Sequence, residues 1–208
     1  MTPPSTIFIV DDDVRVLKAL RHLLQTAGYA VRDFAAPEIF LRQHDLARPG
    51  CVICDMAMPG MNGLALHRAL KVQGCRRPFI FLTGHGTIPG SVQAIQEGAV
   101  SYLTKPVDAA VLFPTLRTAL QRDAEVRAMQ VQLSSLTVRE REVLAHIATG
   151  QLNKQIAGSC GVAERTIKFH RANLMRKLGL TTAARLGGWV IQSGLLGPDL
   201  ALGVKAVS

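Results

Sequence analysis

The chain has 208 residues, of which 48% are hydrophobic and 5% aromatic. This composition excludes a disordered or collagen-like polypeptide and allows one or two globular domains. The chain carries 24 Lys and Arg against 15 Asp and Glu, a formal charge of +9. Residues 1–120 contain 12 basic and 9 acidic side chains, whereas residues 121–208 contain 12 and 6. We therefore expect two domains of different electrostatic character.

The sequence predicts neither secretion nor contact with a membrane. Residues 1–6 lack a basic region followed by an apolar core, and no apolar run approaches the roughly 18 residues of a membrane span. We expect a cytoplasmic protein with reduced cysteines. Cys51 and Cys54 are three residues apart in a predicted strand, so they should point to opposite faces. They are better explained as two core residues than as a shared metal or redox pair.

Short apolar runs alternate with helix-length amphipathic segments in the first 120 residues. Strands are predicted at residues 7–10, 30–34, 51–54, 79–82 and 100–103. Between them, residues 14–27 and 62–73 carry leucines at helical spacing. This alternation predicts an α/β fold with right-handed crossovers and a five-stranded parallel sheet in the flavodoxin-like order 2-1-3-4-5. Functional groups should gather at the carboxyl ends of its strands.

The pattern becomes entirely helical after the fifth predicted strand. A helix that begins near Asp108 is expected to continue as a helical linker, because residues 121–132 contain neither Pro nor Gly. Four short helices are then predicted. The expected organisation is a first domain at residues 5–120, a linker at 121–133 and an all-α helix-turn-helix domain at 134–199.

Three acidic residues follow neighbouring strands of the predicted sheet. Asp11 and Asp12 close the first strand and Asp55 closes the third, so their carboxylates should converge. Carboxylates packed together repel one another unless a cation offsets their charge, and Mg²⁺ or Mn²⁺ suits oxygen ligands of this kind. Thr83 and Lys105 follow the fourth and fifth strands. A metal, a hydroxyl and an ammonium around Asp55 would hold a phosphoryl group.

Four segments around these residues resemble the receiver domain of two-component response regulators. They are residues 10–12, 54–63, 83–86 and 105–106, in the family's order. The resemblance implies that Asp55 accepts a phosphoryl group from a sensor histidine kinase. It implies metal binding by Asp11, Asp12, Asp55 and the carbonyl of Met56, phosphoryl contact or switching by Thr83, Tyr102 and Lys105, and a cis peptide before Pro106.

Some residues near this cluster have a second interpretation. Asp13 is more simply a helix N-terminal acid than a metal ligand. The position of His85 between two glycines favours loop geometry over an acid–base role. Asp55 could also belong to a receiver that binds no phosphate, although the accompanying acids, hydroxyl and ammonium disfavour that alternative.

The second domain has the turn signals of a helix-turn-helix protein. Thr137 and Glu140 have capping-box spacing at the start of its first helix. Asn153 is a suitable N-cap for the second helix, which Gly161 should end. A third helix should then run to about Leu178.

The third helix has one apolar stripe and one basic face. At 100° per residue, Ile167, Leu174 and Leu178 share the stripe. Residues 165–185 contain six Lys and Arg and no acid. A solvated surface would explain this charge, but the position in the motif favours insertion into the major groove of DNA. The opposite face carries Arg165, Lys168, Phe169, Ala172 and Arg176.

Five segments of this domain resemble the LuxR-type DNA-binding domain: residues 136–144, 153–157, 165–168, 170–173 and 176–179. Together with the receiver segments, they make the whole chain similar to the NarL/FixJ group of response regulators. The resemblance implies base contacts by Lys168 and Phe169 and phosphate contacts by Arg165, Thr166, His170 and Arg171. His170 could instead pack against the second helix. Ala163 and Ala172 depart from common family residues, a helix cap and a base-reading Lys.

The last predicted helix, at about residues 182–193, has two alternative explanations. Its Leu186, Trp189 and Val190 could be ordinary core residues. The family resemblance instead places a self-association face here, and two-fold pairing would match paired DNA half-sites.

The expected function is that of a phosphorylation-dependent transcriptional regulator, not an enzyme. Its expected partners are a sensor histidine kinase, double-stranded promoter DNA, RNA polymerase and a second copy of the chain after phosphorylation. One alternative is a phosphatase of the aspartyl-phosphate kind, which would need a cap and a general acid. Another is a constitutive DNA binder whose receiver only mediates assembly.

Overall fold

The computed structural model describes residues 5–84 and 88–192, so His85 lies outside the described residues. The chain divides into two units, residues 1–125 and 126–208. The strands are β1 (Thr6–Val10), β2 (Ala30–Phe34), β3 (Gly50–Asp55), β4 (Phe79–Thr83) and β5 (Ser101–Thr104). The helices of the first unit are α1 (Val14–Thr26), α2 (Pro37–Gln43), α3 (Gly63–Val72) and α4 (Ile88–Gln96), and α5 (Ala109–Ser134) continues into the second.

The five strands form one parallel sheet in the order β2-β1-β3-β4-β5, which confirms the predicted fold. Strands β1 and β3 are neighbours, with Val10 paired to Cys54. Strands β3 and β4 are neighbours on the other side, with Asp55 paired to Leu82. Residues that follow β1, β3 and β4 therefore meet at one edge of the sheet.

Apolar side chains cover both faces of the central strands. Phe8, Val10 and Cys54 belong to the core on one face, whereas Ile7, Ile9 and Cys51 belong to the core on the other. All six are fully buried. The prediction that Cys51 and Cys54 point to opposite faces is confirmed, and their thiols are free.

Asp13 caps helix α1. Its carboxylate accepts a hydrogen bond from the backbone N–H of Arg15 at 2.8 Å. A carboxylate at this position stabilises the helix start through orphan N–H groups and the helix dipole. The prediction of a helix-capping role for Asp13 is confirmed.

Within its described residues, up to Gln192, the second unit contains four further helices: α6 (Val138–Ala148), α7 (Asn153–Cys160), α8 (Glu164–Lys177) and α9 (Ala183–Gln192). The predicted capping box starts α6: Thr137 N–H donates to Glu140 at 2.8 Å, and Glu140 N–H donates to the Thr137 hydroxyl at 3.2 Å. Gly161 ends α7 with a φ of 64°, a left-handed conformation that favours glycine. In the described parts of the chain, no helix combines the length and hydropathy that crossing a bilayer requires.

The prediction that Asn153 is an N-cap is wrong. Asn153 is the first residue of α7, and Gln155 satisfies the helix start by accepting from the N–H of Leu152 at 2.8 Å. The side-chain oxygen of Asn153 accepts instead from Arg171 Nη1 at 3.0 Å. The packing of α8 beside α7 supplied this alternative partner, which local sequence does not reveal.

Candidate functional site

The three acidic residues converge at the carboxyl edge of the sheet. Asp11 directly follows β1, and Asp55 is the last residue of the neighbouring β3. One carboxylate oxygen from each of Asp11, Asp12 and Asp55 lies within 4.8 Å of the others. Asp11 and Asp55 are buried, whereas Asp12 is exposed. Two carboxylates of the cluster are therefore buried, and the third is accessible to solvent.

Lys105 bridges the two buried carboxylates. Its Nζ lies 2.6 Å from Asp11 Oδ2 and 2.7 Å from Asp55 Oδ1. Burial raises the pKa of Asp11, and the hydrogen bond from Lys105 only partly offsets this effect. Burial lowers the pKa of Lys105, but its hydrogen bonds to the two carboxylates outweigh burial and leave that pKa above its usual value. The ammonium is therefore charged and positioned beside Asp55.

Backbone N–H groups hold the two buried carboxylates in place. Asp11 Oδ1 accepts from the N–H of Asp13 at 2.9 Å, and Asp55 Oδ2 accepts from the N–H of Ala57 at 3.1 Å. Each carboxylate thus has one oxygen that accepts from a backbone N–H and a second oxygen in contact with Lys105. These contacts fix the orientation of the Asp55 side chain, which suits a group that must react along one direction.

Gly63 helps to form the site, although the sequence did not predict it. A Cβ on Gly63 would lie 2.4 Å from the carbonyl oxygen of Asp55, closer than real Cβ contacts. The backbone N–H of Gly63 also donates to the carbonyl of Met56 at 3.2 Å. The start of α3 therefore packs directly on the end of β3. The only available signal was an Asn before a Gly, a common turn pattern.

Thr83 and Tyr102 lie on the two strands beyond β3. Thr83 is the last residue of β4 and is buried, and its carbonyl accepts from the N–H of Lys105 at 2.7 Å. Tyr102 is half-buried on β5, where it is paired with Phe81 and packs against the adjacent core. The peptide between Lys105 and Pro106 is cis, as the family resemblance implied.

The donor set of the acid cluster fits a hard divalent cation. Three carboxylates contribute three negative charges, and Lys105 neutralises one of them. Carboxylate and carbonyl oxygens are the ligands that Mg²⁺ prefers, with water completing its shell. The exposed carboxylate of Asp12 leaves the cluster open to solvent. Asp11, Asp12 and Asp55 could therefore hold Mg²⁺ or Mn²⁺.

Helix α8 carries the second candidate site. Ile167 and Leu174 are fully buried, and Leu178, which follows the helix, is 3% exposed, so the predicted apolar stripe is confirmed. The side chains of Arg165, Lys168, Phe169, Ala172 and Arg176 are exposed, and those of Thr166, His170 and Arg171 are half-buried. The helix therefore presents its basic face to solvent.

Several cations of α8 have weak local partners. Lys168 Nζ lies 3.0 Å from Glu164 Oε1, one helical turn away, and both side chains are exposed. Arg176 Nη2 donates to the side chain of Asn173 at 3.2 Å. Such exposed contacts contribute about 0–1 kcal/mol, so they do not prevent either cation from binding a phosphate.

Lys177 differs from the other cations because it has a buried partner. Its Nζ lies 2.7 Å from Glu140 Oε2 and donates to the carbonyl of Ser135 at 3.2 Å. Glu140 is 4% exposed. Lys177 therefore joins α8 to the capping box of α6, and its charge does not contribute to the exposed basic face.

Phe169 is 64% exposed, an unusual position for a large apolar side chain. Its ring lies edge-on to that of His170, with centroids 5.9 Å apart. An apolar ring between cations can contact the methyl group of thymine in the major groove. This placement is compatible with both alternatives for His170, phosphate contact and packing within the domain.

The candidate dimer residues lie in the core of the second unit. Leu186 is 0%, Trp189 7% and Val190 2% exposed, and all three pack with Leu174 and Leu178. Trp189 Nε1 also donates to the side chain of Gln132 at 3.2 Å. The structure thus places these side chains as core residues, the first of the two alternatives, and self-association through this helix stays a prediction.

Comparison with known proteins identifies relatives of both units. The family of response regulator receiver domains matches residues 7–117, and the luxR family of bacterial regulatory proteins matches residues 134–186. The acid cluster lies in the first match and helix α8 in the second.

Individual relatives match both units together. The response regulator protein TodT of Pseudomonas putida is 40% identical over 185 residues, which cover 86% of this chain and 82% of TodT. The transcriptional regulatory protein FixJ of Bradyrhizobium diazoefficiens is 32% identical over 203 residues, 94% of this chain and 99% of FixJ. The solved structure of the response regulator StyR matches with a TM-score of 0.58 at 39% identity, over 91% of this chain and 99% of StyR.

Proposed function

Since the chain belongs to the response regulators that join a receiver domain to a luxR-family DNA-binding domain, it is a transcriptional regulator, and we propose that phosphorylation of Asp55 controls its binding to promoter DNA. The observation that carries this proposal is the bridge of Lys105 between Asp11 and Asp55. It leaves an oriented carboxylate beside an ammonium and two further acids, at the edge of a rigid sheet.

The proposed reaction transfers a phosphoryl group from a phosphohistidine of a sensor kinase. A carboxylate oxygen of Asp55 forms the new P–O bond while the P–N bond of the donor breaks, and the imidazole leaves with the electron pair. Lys105 is the group placed to neutralise charge on the phosphoryl oxygens. The hydroxyl of Thr83, at the end of the adjacent β4, is the proposed hydrogen-bond donor to the bound phosphoryl group.

We assign the metal site of this reaction to Asp11, Asp12, Asp55 and the carbonyl of Met56. Mg²⁺ or Mn²⁺, when bound, supplies positive charge that stabilises the phosphoryl oxygens during transfer. The protein would contribute the oxygen ligands, and Lys105 holds a cation beside Asp11 Oδ2 and Asp55 Oδ1. Tyr102 is the proposed residue that rearranges together with Thr83 after phosphorylation.

The phospho-acceptor assignment is tested with acetyl phosphate and Mg²⁺ on the full chain. Intact-mass measurement should show one added phosphoryl group in the wild type and none in Asp55→Asn. The control variant Asp45→Asn changes an exposed acid of the same unit and should be phosphorylated normally. Phosphorylation of Asp55→Asn to the wild-type extent would overturn the assignment.

The proposed DNA contacts lie on α8. We assign base contacts to Lys168 and Phe169 and phosphate contacts to Arg165, Thr166, His170 and Arg171. Arg176 is a further candidate for contact with DNA. The supporting observation is that the cations on the exposed face of this helix are exposed or only weakly paired, while Lys177 is tied to Glu140. We also propose that the protein is cytoplasmic. It would bind paired DNA half-sites as a dimer and contact RNA polymerase.

The DNA assignment is tested on a duplex selected from a random pool by the wild-type protein. Lys168→Ala should weaken binding by roughly tenfold and relax sequence preference, whereas Arg165→Ala should lower the salt slope by about 1. Lys18→Ala, which removes an exposed cation from α1, is the matched control and should bind normally. Unchanged affinity in Lys168→Ala would remove this residue from the interface.

A further inference from the structure

Three potential metal ligands of different chemistry meet in the second unit, outside both sites described above. Glu142 and His146 lie one turn apart on α6, and Cys160 is the last residue of α7. One ligand atom from each lies within 4.8 Å of the other two. We infer that Glu142, His146 and Cys160 form a binding site for Zn²⁺ or a divalent cation of similar preference.

The helices bring these residues together for separate reasons. Residues four apart on a helix project from the same face, which places the carboxylate of Glu142 beside the imidazole of His146. Cys160 packs against the small core formed by Val143 of α6 and Ile156 of α7. The packing of α7 against α6 therefore brings the thiol of Cys160 to the face of α6 that carries Glu142.

The separation between Cys160 and Glu142 suits a tetrahedral ion. With metal–ligand bonds of roughly 2.0–2.3 Å, the ligand atoms of a tetrahedral zinc site lie roughly 3.3–3.8 Å from one another. Cys160 Sγ is 3.5 Å from Glu142 Oε1. The separation of the thiol from the carboxylate is therefore already that of two ligands of one ion, and a ring nitrogen of His146 lies within 4.8 Å of both atoms.

The donor types distinguish this cluster from the acid cluster of the first unit. A thiolate, an imidazole and a carboxylate favour zinc and related transition metals, whereas an all-oxygen set favours Mg²⁺. Each of the three side chains is half-buried, so an ion can enter from solvent. Three protein ligands leave a fourth position for water.

Arg139 supports the cluster without occupying the proposed ligand atom. Its Nη1 lies 2.5 Å from Glu142 Oε2, the carboxylate oxygen that does not face the thiol. Its Nη2 donates to the backbone carbonyl of Cys160 at 3.0 Å. The guanidinium therefore fixes both Glu142 and the end of α7, as outer partners commonly do for metal ligands.

Metal binding at this site would tie α6 to the end of α7, immediately before the turn into α8. The thiol of Cys160 would lose its proton to solvent as the metal–sulfur bond forms. Because the ion binds the folded unit, it should stabilise that unit by mass action. The site would thus make the stability of the DNA-binding unit depend on the metal.

The site is tested by titrating the tag-free, full-length protein with Co²⁺ in a Mg²⁺-saturated buffer containing a non-thiol reductant. We expect one equivalent of Co²⁺ to produce a thiolate-to-cobalt charge-transfer band that Zn²⁺ then abolishes. Cys160→Ser should lose the band, and Cys75→Ser, the control in the first unit, should retain it. Absence of the band in the wild type, or its persistence in Cys160→Ser, would overturn the inference.

A second measurement does not depend on the cysteine variant. Zn²⁺ should raise the midpoint of thermal unfolding followed by the fluorescence of Trp189, the single tryptophan of the chain. His146→Gln should fold normally and lose the shift, because its half-buried side chain is replaced by one of similar size. An equal shift in wild type and His146→Gln would exclude His146 from the site and contradict the proposed ligand set.

Discussion

Strand order and one close backbone approach together position the residues of the acid cluster. The convergence of Asp11, Asp12 and Asp55 follows from strand order, because the carboxyl ends of neighbouring parallel strands meet. The requirement for glycine at Gly63 has a steric cause. It arises where α3 approaches the carbonyl of Asp55, a tertiary contact between residues of two elements.

Gly63→Ala should damage the acid cluster through this contact. The added methyl group would have to displace the backbone of Asp55 or the start of α3, which should destabilise the first unit by about 1–3 kcal/mol. Urea unfolding measures the loss of stability. The rate of phosphorylation by acetyl phosphate measures the damage to the acid cluster. Gly158→Ala has open space around its position in α7 and should be neutral or stabilising. Equal stability of Gly63→Ala and the wild type would contradict the predicted clash.

His67 is a buried polar residue that neither candidate site uses. It is 4% exposed, its ring centroid lies 4.6 Å from that of Phe79, and its Nδ1 has no hydrogen-bond partner among the described residues. Burial lowers the pKa of His67 from 6.5 to about 4, and Lys71 and Arg68 add to this effect against the opposite influence of Glu97. The folded first unit therefore holds a neutral imidazole.

The stability of the first unit should consequently fall on acidification from pH 7 to 4. Between the lowered folded pKa of His67 and its usual value of 6.5, the unfolded chain binds the proton more tightly, so stability is lost as pH falls. At pH 5 this contribution should cost about 2 kcal/mol relative to pH 8.

Urea unfolding by circular dichroism measures this loss, with Trp189 fluorescence separating the transition of the second unit. The His67→Leu variant should lose the pH dependence that His67 contributes. The control His22→Gln changes an exposed histidine and should retain it. A pH dependence of His67→Leu equal to that of the wild type would show that His67 is not the group responsible.

Among the elements, α8 shows which features are local. Its apolar stripe was predicted from its own sequence, whereas its contacts with other helices were not. Its apolar stripe follows from 3.6-residue periodicity, and the structure buries Ile167 and Leu174 as expected. The pairing of Lys177 with Glu140 depends on the packing of α6 against α8. No local pattern distinguishes a cation with a buried partner from one on the exposed face.

The start of α8 lacks a side-chain cap. Ala163 occupies the N-cap position with a φ of −68° and a ψ of 146°, and it makes no side-chain hydrogen bond. Serine prefers this backbone conformation and can accept from the helix N–H groups. Ala163→Ser should therefore stabilise the second unit by about 0.5–1 kcal/mol, measured by urea unfolding through Trp189 fluorescence.

Ala172→Ser provides the matched control for this prediction. Ala172 is exposed within α8, where a serine has no orphan N–H to accept from and is a slightly poorer helix former than alanine. This variant should leave stability unchanged or reduce it. Equal effects of the two substitutions would show that stability at the start of α8 does not depend on capping.

At the scale of the whole molecule, the uneven charge of the sequence corresponds to two units with different chemistry. The first unit gathers acids around Lys105, and the second exposes cations on α8. Alternation of strands and helices was enough to predict the sheet and the helical unit after it. The cluster of Glu142, His146 and Cys160 was not predicted, because it depends on how α7 packs against α6.

Phosphorylation of Asp55 is proposed to control the binding of DNA by α8. The most direct test measures the affinity of the full chain for its selected duplex, with and without acetyl phosphate and Mg²⁺. We predict that phosphorylation raises the affinity of the wild type on the order of tenfold and leaves that of Asp55→Asn unchanged. Equal affinity of the wild type with and without acetyl phosphate, under conditions where intact mass confirms phosphorylation, would show that phosphorylation of Asp55 does not control DNA binding.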